Sequence, residues 1–170
     1  MASTTEANPG TWSRVHGPKA PVAKVLVATD GSPEALSAAW TASKLLHQPL
    51  DVVMLTVITD PPGEDAGGIE GPVATPEEEA AEWARDERDA REAMREAAEA
   101  FDGVASSRIE VGDAGATICA VAEELGAEII VMGTRGRGML RSLLFGSTVQ
   151  HVIRHSHCPV LLGHADAPHT

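Results

Sequence analysis

The stretch VMGTRGRGMLRSLLFGSTVQHVI, Val131 to Ile153, decides how this chain is read. An apolar strand runs into Gly133, and Gly136, Gly146 and Ser147 follow at set intervals before a helical pattern resumes. Glycine lets backbone approach a ligand with no Cβ in the way, and the N–H groups at a helix start point at an anion. The spacing therefore reads as a phosphate site, with a nucleotide as the leading ligand.

Working outward, the segments alternate. Val22 to Thr29 is a β-branched apolar run ending in Asp30, Gly31, Ser32 and Pro33, after which Ala35, Leu36, Ala39, Trp40, Ser43, Leu45 and Leu46 recur at helical spacing. Leu50 to Ile58 is a second buried strand, and residues 59 to 76, rich in Pro and Gly, read as a surface loop. From Glu77 to Phe101, Trp83, Ala90, Met94, Ala97 and Phe101 mark the stripe of a long helix with a charged outer face, and core packing is the better reading of Trp83 and Met94. Ser107 to Val111, Ala114 to Leu125, Glu128 to Met132, Ser142 to Arg154 and Pro159 to Leu162 complete the pattern as strand, helix, strand, helix, strand. Such alternation predicts a single α/β domain, a five-stranded parallel sheet with helices on both faces and right-handed crossovers.

Composition agrees. The 170 residues suit one domain, 43% are hydrophobic and only 3% aromatic with no Tyr, so the core is built from Val, Ile, Leu and Ala, as buried parallel strands require. The expected division is a flexible arm over residues 1–20, the domain over 21–165 and a short tail over 166–170. A formal net charge of −12 argues against nucleic acid or an anionic membrane surface as partner. Fourteen of the 25 acidic residues lie between Glu64 and Asp102, whereas residues 129–165 carry Arg135, Arg137, Arg141 and Arg154 and no carboxylate, so the field around the glycine motif reads as positive. Cys119 and Cys158 stand far apart in apolar patterns, which suits reduced thiols better than a disulfide or zinc site. With no secretory h-region and no long apolar run, a cytoplasmic protein is expected. His47, His151, His155 and His157 have no metal-site spacing, and no metal ligand or catalytic residue is assigned.

Parallel sheets of this kind bind ligands at the carboxyl ends of their strands, where the strand order reverses. Two ends carry suitable chemistry: Thr29-Asp30-Gly31-Ser32 and Gly133-Thr134-Arg135-Gly136. They become neighbours if the reversal falls between them. The glycine segment is neither a GxxxxGK[ST] loop nor a dinucleotide fingerprint, because no Gly-Lys pair precedes Ser or Thr and Arg141 stands where GxGxxG needs a small residue.

Gly133, Gly136, Gly146 and Ser147 fit G-x2-G-x9-G-[ST], and with KVLVATDGSPEA (24–35), LTVI (55–58), AEIIVMGTRG (127–136) and CPVLL (158–162) the chain resembles the universal stress protein family, in its ATP-binding branch. The resemblance spans nearly everything from Val22 to Gly163. It implies a Rossmann-like, adenine nucleotide alpha hydrolase-like fold and a sensor or switch in the stress response that acts through ATP occupancy, with or without Mg²⁺, and through dimerisation. It places Asp30 at the ribose with Thr29 beside it, Val57 at adenine, and Gly133, Gly136, Gly146, Ser147 and Thr148 at the phosphates. Met132 adjoins the loop, and Arg135 is an electrostatic helper. It also implies a homodimer through the last strand, Val160, Leu161 and Leu162. Three alternatives stay open: a slow ATP hydrolase or phosphotransfer enzyme using the same pocket, a nucleotide-free interaction module, and cyclic AMP in place of ATP. Asp30 as a helix cap and Ser147 as a capping or packing residue stay open too.

Overall fold

The computed structural model describes residues 22–47, 49–59, 75–103, 105–136 and 145–164. Nine elements follow one another: β1 (Ala23–Ala28), α1 (Pro33–Leu45), β2 (Leu50–Ile58), α2 (Pro76–Glu99), β3 (Ser106–Val111), α3 (Ala114–Leu125), β4 (Ile129–Gly133), α4 (Ser147–His155) and β5 (Val160–Gly163). All pairings are parallel and the strand order is β3-β2-β1-β4-β5, so the reversal falls between β1 and β4 as the site argument needed. The arm, the tail and the loop over 60–74 lie outside the described residues, as do Arg137 and Arg141.

Alternation along β1 sorts the core into two layers. Val25 and Val27 face α1 and α2 with Val52, Met54, Val131, Ala38, Ala42 and Met94. Leu26 and Ala28 face α3 and α4 with Leu55, Ile130, Ile118, Val121, Val149 and Val152. Period two along a strand dictates this division, and burial on both faces explains why the strands read as unbroken apolar runs.

Helix α1 presents Ala35, Ala38, Ala39 and Ala42 to the sheet, small side chains that let it lie close to β4 and β5. The glycines ending those strands complete the fit. A Cβ at Gly133 would stand 2.6 Å from the backbone nitrogen of Ala35, and one at Gly163 only 2.3 Å from that of Ala38. Gly133 and Gly163 are register partners, so adjacent strands leave the same gap for one helix. The loop glycine Gly133 is thus a packing requirement as well as a member of the motif, which spacing alone did not show.

Most boundaries fall within a residue or two of the sequence reading, but two features depart from it further. Helix α4 begins at Ser147 and not at Ser142; Gly146 is its N-cap in an extended conformation, and 142–144 lie outside the described residues. Trp83, expected in the core, is 45% exposed. With 24 residues α2 is about 36 Å long at the usual rise per residue, longer than the strands it packs on, and its buried positions begin only at Ala90.

The exposed start of α2 is held by its own cap. Thr75 Oγ1 accepts from the Glu78 N–H at 3.3 Å while Glu78 Oε2 accepts from the Thr75 N–H at 2.8 Å, a reciprocal capping box. That backbone N–H, seconded by the Thr75 side chain, holds the Glu78 carboxyl below its ordinary pKa, and Arg95 and Arg108 do the same for Glu92 and Glu124. A carboxyl whose folded pKa lies below its unfolded value stabilises the fold above that unfolded value, about 4.3 for Glu, and loses the contribution as pH falls through the folded one. The expected outcome is a melting temperature insensitive to these groups from pH 6 to 8 that declines below about pH 4.3. Glu78→Gln should shrink that acid decline and lower helicity slightly at pH 7, both read by circular dichroism. An unchanged acid profile would remove Glu78 from the account.

A candidate ligand cleft at the strand-order reversal

The turn after β1 is built by short side chains holding their own backbone. Thr29 Oγ1 accepts from the Gly31 N–H at 3.1 Å, and Asp30 Oδ1 accepts from the Ser32 N–H at 3.0 Å, an Asx turn. Ser32 is the N-cap of α1: its Oγ accepts from the Ala35 N–H at 3.3 Å and donates to the Arg135 carbonyl at the same distance. The cap considered for Asp30 therefore falls two residues later. Thr56 Oγ1 donates to the Thr29 carbonyl at 2.8 Å and fixes the end of β1 against β2.

The second half comes from β4 and α4. The Thr134 N–H donates to the Gly163 carbonyl at 2.9 Å, and the Gly146 N–H donates to the Thr134 carbonyl at 3.1 Å, which brings the start of α4 back to the end of β4. No side chain caps α4. N–H groups in the first turn of a helix have no intrahelical acceptor, so Ser147 and Thr148 offer donors as well as hydroxyls. Ser147 is the first helical residue and exposed, so it is neither the cap nor buried packing.

Between these halves lies a cavity of about 330 Å³. All ten residues named from the sequence line it: Thr29, Asp30, Val57, Met132, Gly133, Arg135, Gly136, Gly146, Ser147 and Thr148. They come from the ends of three strands and the start of one helix. Asp30 and Gly136 close on one another, since a Cβ at Gly136 would lie 3.0 Å from Asp30 Oδ2. The lining also includes Ala28, Ala35, Leu55, Thr59, Ala114, Ile118 and Val149, none of which the sequence marked as a site residue. Leu55, Val57, Ile118 and Val149 give the lining its apolar part, while Asp30, the glycines, Ser147 and Thr148 give it carboxylate, backbone and hydroxyl groups. Position after a strand could have flagged Thr59 and Ala114; Ile118 and Val149 look like any other core position of an amphipathic helix.

The charge balance differs from the sequence expectation. Folding brings Glu34, from the first turn of α1, to 3.3 Å from Arg135 Nη2, with the two side chains 16% and 15% exposed. The arginine read as a source of positive field is thus paired. His151 and His155 stack on each other, ring centroids 4.2 Å apart, and neither lines the cavity. No group of three or more His, Cys, Asp or Glu among the described residues is placed to hold a metal ion. Burial pushes the thiols of both Cys119 and Cys158 up, which keeps them protonated at neutral pH.

Residues 21–164 match the model of the Universal stress protein family. Universal stress protein Sll1654 of Synechocystis sp. is 35% identical over 146 residues, 81% of this chain and 83% of that protein. The solved structure of MJ0577, named as a universal stress protein of Methanocaldococcus jannaschii, shares the fold with a TM-score of 0.64 at 28% identity, covering 83% of this chain and 94% of that one. A universal stress protein solved in complex with cAMP aligns over 85% of this chain and 98% of its own, with a TM-score of 0.56; at 23% identity that likeness shows the fold alone. No described helix is long and apolar enough to cross a membrane.

Proposed function

The chain belongs to the universal stress protein family, and from that premise we propose that it is an ATP-binding member, a cytoplasmic stress-response sensor or switch that changes shape or partners with nucleotide occupancy. One observation carries the proposal: the ten residues of the sequence motif and its companions line a single cleft at the strand-order reversal, among both apolar side chains and the start of a helix. Its volume falls within the range typical of small-molecule sites, about 300 to 1,000 Å³.

In this reading adenine lies against Leu55, Val57 and Ile118, where its flat apolar faces displace water. Asp30, whose Oδ1 accepts from the Ser32 N–H and whose carboxylate lies beside Gly136, is the group that accepts from the ribose hydroxyls. The phosphates rest on Gly136, Gly146, Ser147 and Thr148, where unpaired helix N–H groups and two hydroxyls meet negative charge. Where Mg²⁺ accompanies the nucleotide, the phosphates would carry it, with Asp30 as the carboxylate of the lining. Neither of the cleft's nearby acids is set up as a free general base: Asp30 holds the turn and Glu34 faces Arg135. A switch is therefore favoured over an efficient hydrolase. The family's pairing through the last strand belongs to the same proposal. β5 is an outer strand of the sheet, and Val160, Leu161 and Leu162 are only half-buried within one chain.

The test is calorimetric titration with ATP, ADP, AMP and cyclic AMP, with and without Mg²⁺, followed by chromatography of the nucleotide after overnight incubation. Saturable ATP binding with nucleotide recovered intact is expected. Steady release of ADP would replace the switch by the hydrolase, and binding of cyclic AMP alone would replace the ligand. Failure of every nucleotide to bind would overturn the proposal and leave an interaction module.

A further inference from the structure

Among the described residues one buried side-chain nitrogen or oxygen has no hydrogen-bond partner, and it is Arg135 Nε, on a residue that lines the cleft. Its guanidinium pairs with Glu34 at Nη2, 3.3 Å away, and Nε makes no hydrogen bond, where the planar fork of an arginine is built to engage a carboxylate through two parallel bonds. A charged donor removed from water without an acceptor is costly, and such groups in native proteins call for an explanation. Glu34 has little freedom to improve the match. It sits in the first turn of α1, packed so closely on β4 that a Cβ at Gly133 would come within 2.9 Å of its own Cβ. The backbone of Arg135 is equally fixed, since its carbonyl accepts from the Ser32 hydroxyl that caps the same helix. Both ends of the pair are anchored while the guanidinium between them is left half-satisfied.

A second acceptor of higher charge, arriving in the cleft, changes that balance. A polyphosphate offers many oxygens and several negative charges against the single charge of Glu34, whereas a monophosphate offers fewer of both. Resting on the nucleotide reading above, we infer that Arg135 and Glu34 form a competed latch through which the site distinguishes nucleotides by their number of phosphates. Glu34 retains the guanidinium in the empty cleft. The phosphate chain of ATP draws it away and satisfies Nε, and AMP leaves it in place. Glu34 thereby lowers affinity for every ligand that must break the pair, and Arg135 is the discriminating residue.

The experiment titrates ATP and AMP calorimetrically into the full chain and into Glu34→Gln, Arg135→Gln and the double variant. Glu34→Gln should tighten ATP by about fivefold or more, a coupling at the lower end of those seen between sites, and AMP by clearly less. Arg135→Gln should weaken ATP and leave AMP nearly unchanged, and adding Glu34→Gln to it should have no further effect, because the partner it releases is gone. Because both residues are packed, the unmodified chain supplies a second readout: the ¹⁵N resonance of the Arg135 Nε–H should move on saturation with ATP and stay with AMP. Equal changes for both nucleotides, or an Nε–H signal indifferent to ATP in a chain that binds it, would overturn the latch and leave the nucleotide reading standing. A parent chain that binds neither nucleotide would overturn both.

Discussion

Gly146→Val is expected to weaken ATP binding by about tenfold or more, some 1.4 kcal/mol of binding free energy, while the protein stays folded. Gly146 lines the cleft at the start of α4, and its backbone, at φ −71° and ψ 160°, is one that valine adopts without strain. The substitution therefore acts through the side chain: it adds an isopropyl group to a residue that lines the cleft beside Ser147 and Thr148, where phosphate would approach. Its N–H still reaches the Thr134 carbonyl. Valine is a poorer N-cap than glycine, so a stability loss on the order of 1 kcal/mol accompanies the change. The two effects separate by measurement, with calorimetry giving the affinity and a thermal melt giving the stability. If the variant melts near the parent temperature and binds ATP as well as the parent does, the phosphate end of the cleft has been placed wrongly.

Gly163→Ala should be strongly destabilising, although Gly163 lies outside the cleft lining. The new Cβ would stand 2.3 Å from the Ala38 nitrogen and 2.4 Å from its Cα, both backbone atoms that no rotamer change can move. Overpacking of a tight interior costs about 1 to 3 kcal/mol, and here the helix must shift from β5 to make room, so the upper part of that range is expected. In a domain of this size that is a fall in melting temperature of roughly 6 to 12 °C. Gly103→Ala is the control. At φ 72° it forces an L-residue into the left-handed region, yet nothing lies within 4 Å of the added carbon, so about 1 kcal/mol is expected. If the two variants melt together, the close approach of α1 to the end of β5 contributes little.

The alternation of apolar strands with helices was enough to read the layering and the parallel sheet, because each strand buried on both faces leaves an unbroken run and each helix leaves a stripe. The lining of the candidate cleft was legible for a related reason. Asp30, Gly136 and Gly146 stand just past a strand or before a helix, where little besides a turn or a ligand explains them. What failed depends on where elements stop relative to one another. Trp83 has the right phase for the core, yet α2 runs on past the strands beneath it. Ser142 has the composition of a helix start, but the described helix begins at Ser147, after Gly146. Arg135 looks unopposed because its partner Glu34 lies on a helix near the other end of the chain, and no local pattern encodes a meeting of that kind.

The place of β1 in the sheet has a consequence for the newborn chain. β1 is the first of the described strands to leave the ribosome, yet one of its two edges is completed only by β4, in a register where contacting residues such as Lys24 and Glu128 are 104 positions apart. Until that late segment emerges, β1, buried over Val25 to Ala28 in the folded protein, has an unpaired edge, a template for mispairing or for a chaperone. The cleft has the same timetable, since its walls include both Thr29 and Val149. If the cleft takes the proposed nucleotide, only a chain in which α4 has been made can hold it, so occupancy would report that the chain has folded through α4.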